Sequence, residues 1–283
     1  MASTVSVPRT FSMTPTHSPA STATVRADQL LVGRGVAVSR SQAQRLIAAG
    51  VEWRAPSASA TWHRVGKNGD ELPPDAELRL LDDAERRWVS RAGLKLDGAL
   101  SRCALKVDGL IALDVGQSTG GFTQVLLAHG IARVVGVDVG RGQLHPSLRG
   151  HKQVTAIEGL NARALTAEVL GAAMPAGGFD VVVADLSFIP LTTVLPALPL
   201  LMAPGGTLLA LVKPQFELQP KDIGKGGLVK NPASYAQVEH KLREACGALK
   251  LDVTDWFDSP IAGGDGNREY FIRAQRPILE TRT

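Results

Sequence analysis

The residues Leu113-Asp114-Val115-Gly116-Gln117-Ser118-Thr119-Gly120-Gly121-Phe122-Thr123 carry the strongest chemical signal in this chain. An apolar run from Ile111 to Val115 ends in an acid and a glycine, and apolar residues at helical spacing follow from Phe122 to Ala128. A strand, a glycine loop and a helix in this order form the place where an α/β sheet receives a nucleotide-like ligand, because loop and helix N-terminus present backbone N–H groups to it. Asp114, Gly116, Ser118, Gly120, Gly121 and Phe122 border the expected site; Phe122 reads first as helix-packing core. Glycine at positions 116, 120 and 121 lets the backbone come close to a ligand. A second acid, Asp138, closes Val134-Val135-Gly136-Val137-Asp138 at a spacing that suits a carboxylate accepting from ribose hydroxyls. Ser118 stands where G-x-G-x-x-G requires its second glycine, which points away from a nicotinamide dinucleotide and toward another adenosine-bearing cofactor.

Four charged residues form a second candidate group. Lys95 lies on a helix entering the α/β region, Asp185 ends Asp180-Val-Val-Val-Ala-Asp185, and Lys213 ends Leu208-Leu-Ala-Leu-Val-Lys213. Glu269 sits in Gly266-Asn267-Arg268-Glu269-Tyr270-Phe271, near the start of the last strand. Asp185 and Lys213 should emerge at the carboxyl edge of the sheet, beside the Gly116 loop. Any one of the four, taken alone, reads as a solvated charge at an element end. The segments Leu186-Ser187-Phe188-Ile189-Pro190 and Pro214-Gln215-Phe216 weaken that bland reading, because apolar and turn residues follow the charges. Asn161, after the third strand, lies near the expected adenine or is simply a polar loop residue.

These side chains need a scaffold. Strands are predicted at about 110–115, 133–138, 153–157, 179–185, 206–213, 251–257 and 268–274, with segments of helical length between them. Alternation of this kind gives a doubly wound, mostly parallel Rossmann-like sheet over residues 91–276. A helix over 91–101 precedes it, and Asn231-Pro232 start another that runs to about Leu249. The stretch from Pro214 to Lys230, rich in glycine and lysine, is expected to be a mobile binding loop. Upstream, residues 25–81 read as a small α+β domain: Ser39 caps a helix with the apolar stripe Ala43, Leu46 and Ile47, and Gly50 stops it. Residues 82–90 are charge-dense and read as a linker. Residues 1–24, rich in Ser, Thr and Pro, read as a disordered tail.

Composition sets bounds. The chain has 283 residues, 44% of them hydrophobic, enough for a sizeable core. Its net charge of +4 leans only mildly toward polyanions, but Arg26, Arg34, Arg40 and Arg45 cluster with a single acid, Asp28. Cys103 and Cys246, alone and far apart, suit a reducing, cytoplasmic compartment and form no metal motif. The apolar stretch from Leu191 to Ala203 is interrupted by Pro196 and Pro199 and falls short of a membrane span.

The runs LDVGQSTGGFTQVLL, VVGVDVGRGQL, VVVADLSFIPL, LVKPQFEL and GNREYF, with WVSRAGLKLDGAL upstream, resemble the TlyA family of FtsJ-like ribosomal RNA methyltransferases. The segment DQLLVGRGVAVSRSQAQRLIAAGVEW resembles the αL RNA-binding domain first known from a small-subunit ribosomal protein. Together the matches extend from Arg26 to Arg273. Val51-Glu52-Trp53-Arg54 departs from the valine-rich strand ending in Asn-Gly that is usual in that domain. The resemblance implies S-adenosyl-L-methionine as cofactor and a ribose 2′-hydroxyl, of cytidine in ribosomal RNA, as acceptor. It also implies a Lys-Asp-Lys-Glu tetrad at Lys95, Asp185, Lys213 and Glu269, and RNA contact by Arg26, Arg34, Arg40 and Arg45. Such a reaction needs oxygen, methyl carbon and sulfur aligned and a proton removed, and it needs no metal. Lys213 is then the group nearest the hydroxyl, as base or as orienting donor. A ribosome-binding protein that keeps the fold without catalysis is an alternative, and so is a membrane-active haemolysin, a label this family has carried. The matched charges argue against the first, and the lack of spanning or strongly amphipathic segments against the second.

Overall fold

The structure is a computed structural model and describes residues 23–56, 60–81 and 87–278. The expected tail falls almost wholly outside these residues, as does 82–86 of the expected linker. The chain divides into two compact units, Met1–Asp83 and Ala84–Thr283.

In the first unit, β1 (Val25–Arg26) leads into α1 (Ala27–Gly33) and α2 (Arg40–Gly50). The Ser39 side chain accepts a hydrogen bond from the Gln42 N–H at 3.2 Å, which caps α2. Ala43, Leu46 and Ile47 are buried, as their spacing requires. The strands β2 (Val51–Arg54), β3 (His63–Arg64) and β5 (Glu77–Leu80) form an antiparallel sheet in the order β3-β2-β5, and β4 (Glu71–Leu72) pairs with β1. Trp53 packs toward the core, whereas Trp62 lies against the guanidinium groups of Arg54 and Arg79, at 4.7 and 4.5 Å.

The second unit contains β6 (Ile111–Val115), β7 (Arg133–Asp138), β8 (Val154–Glu158), β9 (Phe179–Asp185), β10 (Met202–Val212), β11 (Asp252–Asp258) and β12 (Tyr270–Gln275). They form one sheet in the order β11-β12-β10-β9-β6-β7-β8. The five strands from β10 to β8 are parallel, and β12 runs antiparallel to both β10 and β11. Of the helices, α3 (Arg91–Arg102) and α4 (Gly121–Ala128) cover one face, with Leu96, Ala99, Leu100, Phe122, Val125 and Leu126 packed on the sheet. The opposite face is covered in part by α5 (Ala233–Ala248), through Val238, Leu242 and Cys246. Trp88 is buried in the core under α3, and the Val89 N–H donates to the Gln124 amide oxygen at 2.6 Å. Residues 87–90, expected as part of a linker over 82–90, are therefore held by the second unit.

The apolar stretch from Leu191 folds as short turns rather than one helix, with Pro196 and Pro199 each the second residue of its turn. No helix among the described residues is long and apolar enough to cross a membrane. The segment from Pro214 to Lys230 is more structured than its composition suggests. It contains a turn of helix at Pro214–Glu217 and an antiparallel bridge between Ile223 and Val229. Asn267 pins it, accepting from the Val229 N–H at 3.0 Å and donating to the Gly227 carbonyl at 2.9 Å.

Candidate active site

Strand periodicity brings the charged residues together. Side chains alternate across a sheet, so residues two apart share a face. Ala112, Val134, Val181, Val183, Leu209, Leu211 and Phe271 all face α3 and α4. Two residues beyond the last of these in each parallel strand stand Asp114, Asp185 and Lys213, and Asp138 follows Val134 by four. Glu269 precedes Phe271 by two, and β12 is antiparallel, with Tyr270 beside Val212, so Glu269 reaches the same edge. One edge of one face thus collects every acid and lysine singled out on the sheet strands.

There the tetrad forms two ion pairs. Lys213 Nζ lies 2.6 Å from Asp185 Oδ1, and Lys95 Nζ lies 2.5 Å from Glu269 Oε2. Lys213 also donates to the Ser187 hydroxyl at 2.8 Å. Lys95 and Glu269 are buried, and burial raises the Glu269 carboxyl above its usual range, against the opposing pull of Lys95 and Lys213. A cavity of about 520 Å³ opens between Lys95, Lys213 and Glu269 on one side and Phe188, Phe216 and Asp265 on the other. Burial acts to raise Asp265, but hydrogen bonds from Asn267 and Gln215 hold it below the usual carboxylate range.

A larger cavity, about 610 Å³, lies between Gly116, Ser118, Asp138, Asn161 and Asp185. A smaller one of about 240 Å³ shares Gly116, Ser118 and Asp185 and ends at Lys213. Asp138 spans the mouth of the glycine loop, its two oxygens accepting from the Ser118 N–H at 2.8 Å and the Gly140 N–H at 2.6 Å. Each oxygen keeps a second lone pair for a ligand hydroxyl. Asn161 lines the cavity while its side chain caps the next turn, accepting from the Arg163 N–H at 3.0 Å. The chemistry of this lining, apolar walls with an acid placed at a glycine loop, fits an adenosine-bearing ligand.

The structure refines two expectations and corrects a third. The glycines serve protein packing as well as ligand approach. A Cβ on Gly116 would lie 2.5 Å from the Asp185 carbonyl oxygen, one on Gly120 would meet Leu148 and one on Gly121 would meet Ser90. Phe122 borders the small cavity, but its ring is 2% exposed and stacks on Phe271, as core packing predicted. Asp114 is fully buried and does not line the cavities with its side chain. Its Oδ2 accepts from the Thr123 hydroxyl at 2.7 Å, and Thr123 in turn accepts from the Gln117 amide at 2.9 Å. Gln117 therefore faces inward and fastens the glycine loop to α4.

The arginine cluster of the first unit is largely committed to its own fold. The buried Asp28 accepts from Arg26 at 3.1 Å and Arg40 at 2.9 Å, and the Arg26 guanidinium above all holds its carboxyl well below the usual range. Arg34 donates to the carbonyls of Ala76 and Pro74, and Arg45 is half-buried on α2. Arg26 and Arg40 keep exposed outer edges, with five donors each to share.

Sequence reasoning passed over Ser187, Gln215 and Asn267 as individual side chains. Ser187 and Gln215 follow directly on the charged strand ends, a signal noted only for the segments. Asn267 carries no comparable signal, because only the fold places it between Glu269 and the glycine-lysine loop. Among the described residues no group of His, Cys, Asp and Glu is arranged to hold a metal.

Comparison with known proteins agrees with this architecture. The FtsJ-like methyltransferase family matches residues 88–276. The 16S/23S rRNA (cytidine-2′-O)-methyltransferase TlyA of Mycobacterium tuberculosis is 43% identical over 247 residues, 87% of this chain and 88% of that protein. Hemolysin A of Brachyspira hyodysenteriae is 32% identical over 250 residues, 87% of this chain and 98% of its own length. A solved Streptococcus thermophilus structure that carries the hemolysin label is 34% identical, covers 90% of this chain and 89% of its own, and superposes with a TM-score of 0.67. With a family match across the whole sheet unit and relatives aligned over most of both chains, this protein belongs to the FtsJ-like methyltransferases of the TlyA family.

Proposed function

We propose that this protein transfers a methyl group to the 2′-hydroxyl of a cytidine in ribosomal RNA, in the cytoplasm. The carrying observation is the Lys213–Asp185–Ser187 cluster at the meeting point of the three cavities, backed by the buried Lys95–Glu269 pair. The methyl donor is S-adenosyl-L-methionine, which supplies a methyl carbon already activated by a positively charged sulfur. Gly116, Ser118 and Asp138 would hold the donor, Asp138 by accepting from its ribose hydroxyls, and Asn161 would border the adenine. The chain's own task is alignment and proton removal. Lys213, paired with Asp185, acts as a donor that orients the acceptor oxygen, and Asp185 takes the hydroxyl proton directly or by way of Lys213. Lys95 and Glu269 fix the far wall of that pocket.

The acceptor base has a platform nearby. Phe188 adopts a left-handed backbone (φ 62°) and leaves its side chain 90% exposed, with its ring 5.4 Å from that of Phe216. Strained, exposed aromatics of this kind concentrate where ligands bind, and a base drawn out of its strand can stack there. The arginines of the first unit, through the outer edges of Arg26 and Arg40 together with Arg34 and Arg45, supply contacts to RNA phosphates.

The test is transfer of labelled methyl from S-adenosyl-L-methionine to purified small subunits, large subunits and naked ribosomal RNA, with Lys213→Ala as control. The expected result is label on a cytidine ribose, located by mass spectrometry and lost in the variant. Label on a base, or equal label from the Lys213→Ala protein, would overturn the reading.

A further inference from the structure

Asp114 has no role in the chemistry described so far, yet its situation is unusual. It is fully buried at the end of β6, directly under the glycine loop. Its Oδ2 is held by Thr123, while Oδ1 has no hydrogen-bond partner among the described residues. The charged groups that act on it are Asp185, at the end of β9, and Asp138, at the end of β7. From α4 it faces only Thr123, and from the loop Thr123's partner Gln117, neither of which titrates. The lysines of this face are already engaged, Lys213 with Asp185 and Lys95 with Glu269. Asp114 thus sits in a dry place with two further carboxylates around the loop and, among the described residues, no cation of its own. Burial above all, with Asp185 and Asp138 adding to it, pushes its carboxyl up to about 7, against the Thr123 hydrogen bond.

We propose that Asp114 is a charge sensor for the donor site: it holds a proton while the site is empty and releases it to solvent when a sulfonium ligand binds. The inference rests on the donor reading above. A sulfonium brings a fixed positive charge to the opening bordered by Gly116, Asp138 and Asp185, and a nearby positive charge favours an ionised carboxyl. The thioether left after methyl transfer has lost that charge. Asp114 then takes a proton back, and the site binds the product less tightly than the donor at the same pH. Asp114 is a positioning residue in this scheme, acting through Thr123 and Gln117 on the loop, and touches no reacting atom.

The linkage has a definite sign. A proton must leave for the sulfonium to bind best, so affinity for the donor rises with pH up to about 7 and then levels off. The experiment is calorimetric titration of the full chain with S-adenosyl-L-methionine and with S-adenosyl-L-homocysteine, in buffers of different ionisation enthalpy near neutral pH. The amino groups of both ligands titrate on their own, and Asp114→Asn, which keeps the side-chain shape, serves to subtract them. We expect the donor to release a fraction of a proton more from the wild type than from Asp114→Asn, with no such difference for the thioether. Infrared difference spectra supply a second readout that does not depend on the variant. The carbonyl band of a protonated carboxyl should fade on adding the donor and persist with the thioether. Donor binding with equal proton release in both proteins, or no loss of that band, would overturn the proposal while leaving the donor reading intact. Failure of the wild type to bind either ligand would overturn both.

Discussion

At the scale of single residues, the site is governed by which carboxylates have a cation. Asp185 and Glu269 each hold a lysine within 2.6 and 2.5 Å, and Asp28 is gripped by two arginines. Among the described residues Asp114 has none, and burial above all pushes its carboxyl up to about 7. That shift is also a statement about stability. The folded chain binds the Asp114 proton more tightly than the unfolded chain, so stability falls as pH rises from the ordinary carboxylate range toward the folded value. A displacement of about three pH units corresponds to about 4 kcal/mol. The Asp114→Asn protein should therefore gain on the wild type in urea midpoint as pH is raised through this window, and lose that advantage in acid. Parallel curves for the two proteins would show that Asp114 is ionised in the ligand-free fold.

At the scale of elements, the glycine loop is held by packing. Gly116 has φ 87°, and a Cβ there would press on the Asp185 carbonyl oxygen at 2.5 Å. Gly116→Ala should cost about 3 kcal/mol, the sum of left-handed strain and backbone overpacking. It should also shift Asp185 away from Lys213, so methyl transfer should fall even under conditions where the variant is fully folded. Full activity in a folded Gly116→Ala protein would separate the loop from the Lys213–Asp185 pair. The glycine-lysine segment shows the opposite relation. Its composition reads as a loose loop, yet Asn267 ties it to the strand that carries Glu269. The turn at Pro214–Glu217 is anchored in the same way, because the buried Glu217 accepts from the Thr192 hydroxyl and from Lys241, both at 2.9 Å.

At the scale of the whole molecule, the chain has two units with separate cores. The sheet unit contains two hydrophobic clusters of its own, and the first unit has a third. A chain beginning at residue 84 should therefore fold and bind donor. Without the arginines of the first unit, it should bind RNA more weakly and with a flatter dependence on salt, since fewer phosphates are neutralised. Titration of both proteins with ribosomal RNA at several salt concentrations checks this, and an unchanged slope would assign RNA recognition to the sheet unit.

Much of this was legible in the residues alone. The strand–glycine–helix unit, Asp138 at the end of the second strand and the charged ends of β9 and β10 follow from local pattern, because period and turn chemistry are properties of short segments. The seven predicted strands match the observed ones to within a few residues. Tertiary structure decided the rest. Whether Asp114 and Phe122 face ligand or core depends on which sheet face α4 covers, and no local pattern states that. Whether Arg34 and Arg40 are solvated or spoken for depends on Pro74, Ala76 and Asp28 being brought to them by the fold. The pairing of Lys95 with Glu269, 174 positions apart by their numbers, arises only when α3 is laid across the start of an antiparallel β12.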